Sequence, residues 1–206
     1  SSNSCLTPKQ VRAVERIWSG VRNARGELIY PGLVPGGKAA PGGWSTWVTG
    51  AAPYQSLHWR GGEGFFRWFV FDDADWDFRS FDFDSDLDLA IETVGSAVDA
   101  NDPDLSAFRD HGGKLLVYHG WSDPDISPLA SIDYFSRVVD LAASEADVTS
   151  REQAESVTKD YFRLFMAPGM GHCAGGPGPD RFDALTALEN WVEKDNPPDS
   201  IIARKI

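Results

Sequence analysis

Two short turns in the sequence hold residues able to move a proton. The first is Gly169-Met170-Gly171-His172-Cys173-Ala174-Gly175-Gly176, with a histidine at the tip of a glycine-rich bend. An imidazole titrates near neutral pH, which suits a general base that later returns its proton as an acid. The second is Gly120-Trp121-Ser122-Asp123, which ends in a carboxylate. A carboxylate that accepts the hydrogen of one imidazole nitrogen fixes the tautomer and frees the other nitrogen to activate a hydroxyl. The acid precedes the histidine, as in one of the chain orders used by serine–acid–histidine hydrolases. Each residue also has a plain reading: a histidine that ties its own loop, and an aspartate that caps the helix after a Ser-Asp-Pro turn. Taken together, in this order, they favour chemistry.

The elements that must position them follow from the flanking pattern. An apolar run from Tyr161 to Ala167 leads into the histidine turn, and Arg181 to Lys194 has helical spacing after it. Lys114 to His119 leads into the acid. Parallel strands place such ends side by side, at the carboxyl edge where α/β sheets bind ligands. From Phe108 onward the predicted order is strand (114–119), turn with Asp123, helix from Ser127-Pro128, linker, strand (161–167), turn with His172, and helix from near Asp180. Leu129, Ile132, Phe135, Val139 and Ala142 are expected on the inner face of the first helix. Phe182, Leu185, Leu188 and Trp191 or Val192 are expected on that of the last. His119 reads as a hydrogen-bonding neighbour of the acid, and His58 and His111 as surface or loop histidines.

No Gly-x-Ser-x-Gly nucleophile elbow occurs between a strand and a helix. Ser122 is the nearest imitation, but the closing glycine is missing and it shares the acid's turn. The strand–helix units are also too few for a whole hydrolase sheet. The expected fold is therefore α/β: a partial α/β-hydrolase core with a parallel sheet, carrying an inserted irregular lid.

The lid is the earlier half. Thr7-Pro8-Lys9-Gln10 carries a helix start with a capping box, Val11, Val14 and Ile17 or Trp18 mark an apolar face, and Gly20 stops the helix. Val21 to Pro53 is rich in Gly and Pro yet studded with aromatics, which suits a packed loop layer rather than a disordered linker. Phe65 to Phe71 is apolar throughout, and periodicity does not separate strand from buried helix there. Asp82, Asp84, Asp86 and Asp88 alternate like a calcium loop. Leu87 and Thr93, however, stand where an EF-hand needs Gly and Glu, so a solvated acidic loop is the better reading. Ser85 to Val98 reads as a helix with Ser85 at its cap and Leu87, Ile91, Val94 and Val98 on one face. The division falls near residue 106, with 1–106 the lid portion and 107–206 the core portion.

The formal net charge of −12 leaves no basic face for phosphates, so nucleic acid is excluded as a partner. No apolar run is long enough to span a bilayer. Cys5 and Cys173 are open to three readings: a bridge to each other, free thiols, or bridges to partners elsewhere. His172 and Cys173 are adjacent and do not have zinc-ligand spacing, so no metal site is expected. The chain opens at Ser1-Ser2 without Met, as an excised or processed piece would.

LLVYHGWSDPDIS (115–127), FMAPGMGHCAGGPGPDRFDALTALENWVEK (165–194) and CLTPKQVRAVERIWSG (5–20) resemble the tannase and feruloyl esterase family. The resemblance runs through nearly the whole chain. It implies hydrolysis of aromatic carboxylic esters through an acyl-enzyme, the acid being a hydroxycinnamic, gallic or terephthalic one. It makes Asp123 the triad acid and His172 the base. It makes Cys173 half of a disulfide to the residue before the nucleophile, and Cys5 a lid cysteine with an earlier partner. Both would bridge outward, to an amino-terminal segment or second chain that also carries the serine, in an oxidising compartment, secreted or periplasmic. No cofactor is required for the chemistry, and the family's lid calcium loop corresponds to sequence before Ser1. The lid supplies the acyl pocket, for which Trp44, Trp47, Phe65, Phe66 and Arg67 are candidates: aromatic faces for a ring, and a cation for a carboxylate or phenol. The competing expectation is an inactive or binding-only fragment that holds aromatic ligands.

Overall fold

The computed structural model describes residues 5–145 and 147–206. Helix α1 (Pro8–Ser19) starts as its sequence dictates. The Thr7 hydroxyl accepts the Gln10 backbone N–H, the Gln10 side chain accepts the Thr7 N–H, and Pro8 takes the first turn. Its apolar face is only partly covered: no residue of α1 is fully buried, Val14 and Ile17 are half-buried, and Val11 and Trp18 stay exposed. The loop layer that follows contains a small antiparallel hairpin, β1 (Val21–Arg22) with β2 (Leu28–Tyr30), and a one-turn helix α2 (Trp44–Trp47).

Helix α3 (Leu57–Phe65) is capped by Ser56, whose hydroxyl accepts the Trp59 N–H at 3.2 Å. The ambiguous apolar run resolves as its continuation, a π-turn over Phe66–Val70. What holds it helical is tertiary: Phe66 packs against Phe71, Trp76 and Phe81. Helix α4 (Ser85–Ala90), a π-turn (Ile91–Gly95) and α5 (Ser96–Val98) form the next helical stretch. Ser85 is its first residue, not its cap. The Asp82 carboxylate takes the Asp84 and Ser85 N–H groups, and Asp86 takes that of Asp82. These bonds explain part of the acidic run as backbone capping, and they hold the Asp82 carboxyl below its usual range.

Past α6 (Ser106–Asp110), the core is built from β3 (Leu115–Gly120), α7 (Pro128–Ala142), α8 (Arg151–Lys159), β4 (Phe162–Ala167) and α9 (Ala184–Lys194). β3 and β4 pair in parallel, from Leu115 opposite Phe162 to Gly120 opposite Ala167, so both strands end at the same level. Val138, Tyr161 and Phe162 form one buried cluster, and Val139, Ala142 and Ala154 another, with Phe135 packed against both. Burying one such large side chain contributes about 1.5–3 kcal/mol.

Three expectations fail here. Leu129, expected on the inner face of α7, is exposed. The span read as linker contains α8, a largely polar helix anchored by Ala154 and Thr158 and capped by Ser150. The last helix begins four residues late. Arg181 pairs with Arg204 as a β-bridge, and Asp183 caps the helix by accepting the Thr186 N–H. That shift sets the inward face at Ala184, Leu188 and Trp191, and turns Leu185 and Val192 out to 67% and 59% exposure. Trp191 is buried, with Lys114 and Arg163 over its ring. Among the described residues, no helix is long and apolar enough to cross a membrane.

Candidate active site

The shared end of β3 and β4 brings the two turns together. The Trp121 N–H donates to the Ala167 carbonyl, and the Ser122 N–H to the Met170 carbonyl, both at 2.9 Å. Gly120 makes this approach possible, since a Cβ there would sit 2.3 Å from the Met170 oxygen. Met170 is itself buried, so the histidine turn is rooted in the core. Beyond it the Gly171 N–H donates to the Gly175 carbonyl, and the Gly175 N–H donates to Asp180 at 2.7 Å. Lys205 pins the same turn, donating to the Gly176 carbonyl at 2.9 Å and to Asp180 at 3.2 Å. Those donors hold the Asp180 carboxyl below its usual range.

His172 and Asp123 meet where the strand ends predict. Nδ1 of His172 lies 3.0 Å from Oδ2 of Asp123. The same oxygen takes Nε2 of His119 at 3.1 Å, while Oδ1 takes the backbone N–H groups of Asp125 and Ile126 at 2.8 and 3.0 Å. Nε2 of His119 also faces the Ile126 carbonyl, so that nitrogen carries the hydrogen and Nδ1 accepts from the Ser131 hydroxyl. Burial of Asp123 alone would raise its carboxyl. The bonds from His119, the Asp125 backbone, His172 and the Ile126 backbone outweigh it and hold the group below the ordinary range. The side chain is 5% exposed and accepts four donors, so it stays ionised.

A cavity of about 140 Å³ opens beside His172. Its walls include Trp47, Ser122, Pro124 and the glycine loop around Gly37 and Gly43. Gly37 has φ +56° and lies against Ser122, with no room for a Cβ, so the loop covers the acid's turn closely. The Trp47 ring meets His172 edge-on, centroids 4.9 Å apart. Of the five lid residues expected to form a pocket, Trp47 lines this cavity. Trp44 is buried, with Lys38 over its ring. Phe65 packs on Phe66 and Phe69, and Phe66 belongs to an aromatic cluster with Trp76 and Phe81. Arg67 is not free for a ligand, because its guanidinium is paired with Glu63 and with the Ala74 and Trp76 carbonyls. Cys5 and Cys173 are both exposed, and no bridge joins them. Cys173, next to His172, has φ +60°, an uncommon value for a residue with a Cβ.

Two residues at the site escape the sequence reading. Asp125 places Oδ2 3.6 Å from Nε2 of His172. His58, on α3, reaches Asp125 Oδ1 at 2.8 Å and its carbonyl at 3.0 Å. Asp125 sits in the acid's own turn and was visible as a second carboxylate. Nothing local marks His58, whose partner is 67 residues away.

Comparison with known proteins agrees with the geometry. The family model described as tannase and feruloyl esterase matches residues 1–206. The chain is 38% identical to an uncharacterized esterase of Xanthomonas campestris, over 99% of this chain and 40% of that protein. It is 35% identical to the mono(2-hydroxyethyl) terephthalate hydrolase of Piscinibacter sakaiensis, over 97% of this chain and 35% of that one. The crystal structure of feruloyl esterase B from Aspergillus oryzae superposes with a TM-score of 0.80 at 28% identity, covering all of this chain and 41% of that one. The chain thus spans about two fifths or less of the length of these relatives. The two parallel strands and their helices are part of an α/β-hydrolase core, and the chain belongs to the tannase and feruloyl esterase family.

Proposed function

We propose that this chain carries the acid and base of a serine-type carboxylic ester hydrolase for aromatic esters. The observation that carries this reading is the His172–Asp123 pair, 3.0 Å apart, with the His172 ring lining a cavity that Trp47 also walls. His172 takes the proton of a serine hydroxyl as the serine attacks the ester carbonyl, and returns it to the departing alcohol. Asp123 orients the ring and stabilises the imidazolium. The Trp47 ring suits an aromatic acid, and the names of the relatives, a terephthalate monoester hydrolase and a feruloyl esterase, support that substrate class. Residues 1–106 act as lid and 107–206 as core.

The serine lies outside residues 1–206, and Cys173 bridges to its neighbourhood. The exposed Cys173 thiol, one residue from the base, supports this. Such a bridge places the protein in an oxidising compartment, secreted or periplasmic. The test is turnover of methyl ferulate, methyl gallate and mono(2-hydroxyethyl) terephthalate by the intact protein and by its His172→Ala variant. Turnover by the parent and its loss in the variant are expected. No turnover of any aromatic ester by the intact protein would leave a ligand-holding module in its place.

A further inference from the structure

The polar groups around His172 continue past Asp123. Asp123 occupies Nδ1, and a second carboxylate, Asp125, faces Nε2 at 3.6 Å. Three contacts fix how Asp125 is presented. Its backbone N–H donates to Asp123 Oδ1. Nε2 of His58 contacts two acceptors, Asp125 Oδ1 and the Asp125 carbonyl, so that nitrogen carries the hydrogen and donates to both. With Oδ1 held by the lid histidine, Oδ2 is the oxygen turned toward the base.

In the unprotonated ring that a general base requires, Nε2 of His172 is an acceptor, as is Oδ2 of Asp125. Neither can donate to the other, so a group that serves both must bring two hydrogens. Water does. With two hydrogen bonds of about 2.8 Å, a 3.6 Å separation subtends about 80° at the water oxygen, which bends each bond by only about 12°. The His172 ring also lines a cavity of roughly 140 Å³, more than the about 10–15 Å³ that one water needs.

We propose that Asp125, held by His58, is the second acceptor that orients the hydrolytic water in the deacylation step. This rests on the acyl-enzyme reading above. In that step one water O–H gives its proton to Nε2 of His172 while the water oxygen bonds to the acyl carbonyl carbon. The carbonyl electron pair moves onto its oxygen and then returns, breaking the bond to the serine oxygen. The serine oxygen takes the proton back from Nε2, and the acyl group leaves as the acid. Asp125 accepts the other water O–H throughout and stays a carboxylate. Acylation differs: a serine has one hydroxyl hydrogen and needs one acceptor, Nε2. Water, with two hydrogens, uses both acceptors, whereas methanol, with one, does not need Asp125.

That difference supplies the experiment. The intact protein is given the 4-nitrophenyl ester of a hydroxycinnamic acid in water containing methanol, and the acid and methyl ester formed are measured. Asp125→Ala is expected to raise the ratio of methyl ester to acid at least about tenfold, the worth of a hydrogen bond to a charged group. His58→Ala, which leaves the carboxylate but frees it, is expected to move the ratio the same way by less. The ratio does not depend on the fraction of enzyme that is folded, so a merely structural role would leave it still. An unchanged ratio in both variants, with turnover present, overturns the role of Asp125 alone. Absence of turnover in the parent overturns the acyl-enzyme reading and this inference with it.

Discussion

Nδ1 of His172 and Oδ2 of Asp123 stand 3.0 Å apart although the two residues are 49 positions apart in the chain. The distance is set by the parallel register, which ends β3 and β4 together at Gly120 and Ala167. Two backbone bonds from Trp121 and Ser122 to the histidine side then close the gap. The pair is therefore a property of the sheet, and its removal has consequences for both chemistry and stability.

Asp123→Asn should leave the fold in place and lower kcat for an aromatic ester by about 10³–10⁴, because an amide no longer selects the Nδ1–H tautomer. Steady-state kinetics of the intact protein check this. A fall below tenfold would mean that Asp123 does not orient the base.

The same carboxylate couples stability to pH. Its folded value lies below the unfolded one of about 3.9, so the stability it contributes is full above about pH 4 and is lost as pH falls through the folded value. Urea unfolding of the parent and of Asp123→Asn should show a constant gap from neutral pH down to about pH 4, closing below it.

Gly120→Ala places a Cβ against the Met170 backbone, which has no rotamer to yield. The substitution should cost about 1–3 kcal/mol in chemical denaturation. It should also reduce turnover, because the histidine turn must move to make room.

Trp191→Ala opens a large hole under the sheet beneath Lys114 and Arg163, far from the cavity at His172. It should destabilise by about 3–5 kcal/mol while KM stays near the parent value, a combination read by denaturation and kinetics together.

Lys205→Met removes the donor that ties Gly176 and Asp180. Amide hydrogen exchange should speed up across residues 169–176 and stay unchanged in β4, since the loosened part is the turn and not its root.

What the sequence made legible is what short-range physics encodes. The Thr7–Gln10 capping box, the Ser127-Pro128 helix start and the apolar runs of β3 and β4 follow from neighbours a few residues apart. Asp123 and His172 were readable because a strand end is a local signal. Helix α3 was not, since Gly61, Gly62 and Gly64 disfavour a helix that its aromatic partners then impose. Helix α8 carries too few apolar residues for periodicity to show, although Ser150 and Gln153 mark its start. His58 has no local mark, and Arg67 looked free because Glu63, Ala74 and Trp76 enclose it only in the fold.

Labelling of the intact protein with a fluorophosphonate, followed by mass mapping of the modified peptide, tests most directly whether His172 and Asp123 serve a serine outside residues 1–206. The predicted result is one modified serine outside residues 1–206, with labelling lost in His172→Ala. Labelling within residues 1–206, at Ser122 for example, or labelling that persists without His172, would contradict it.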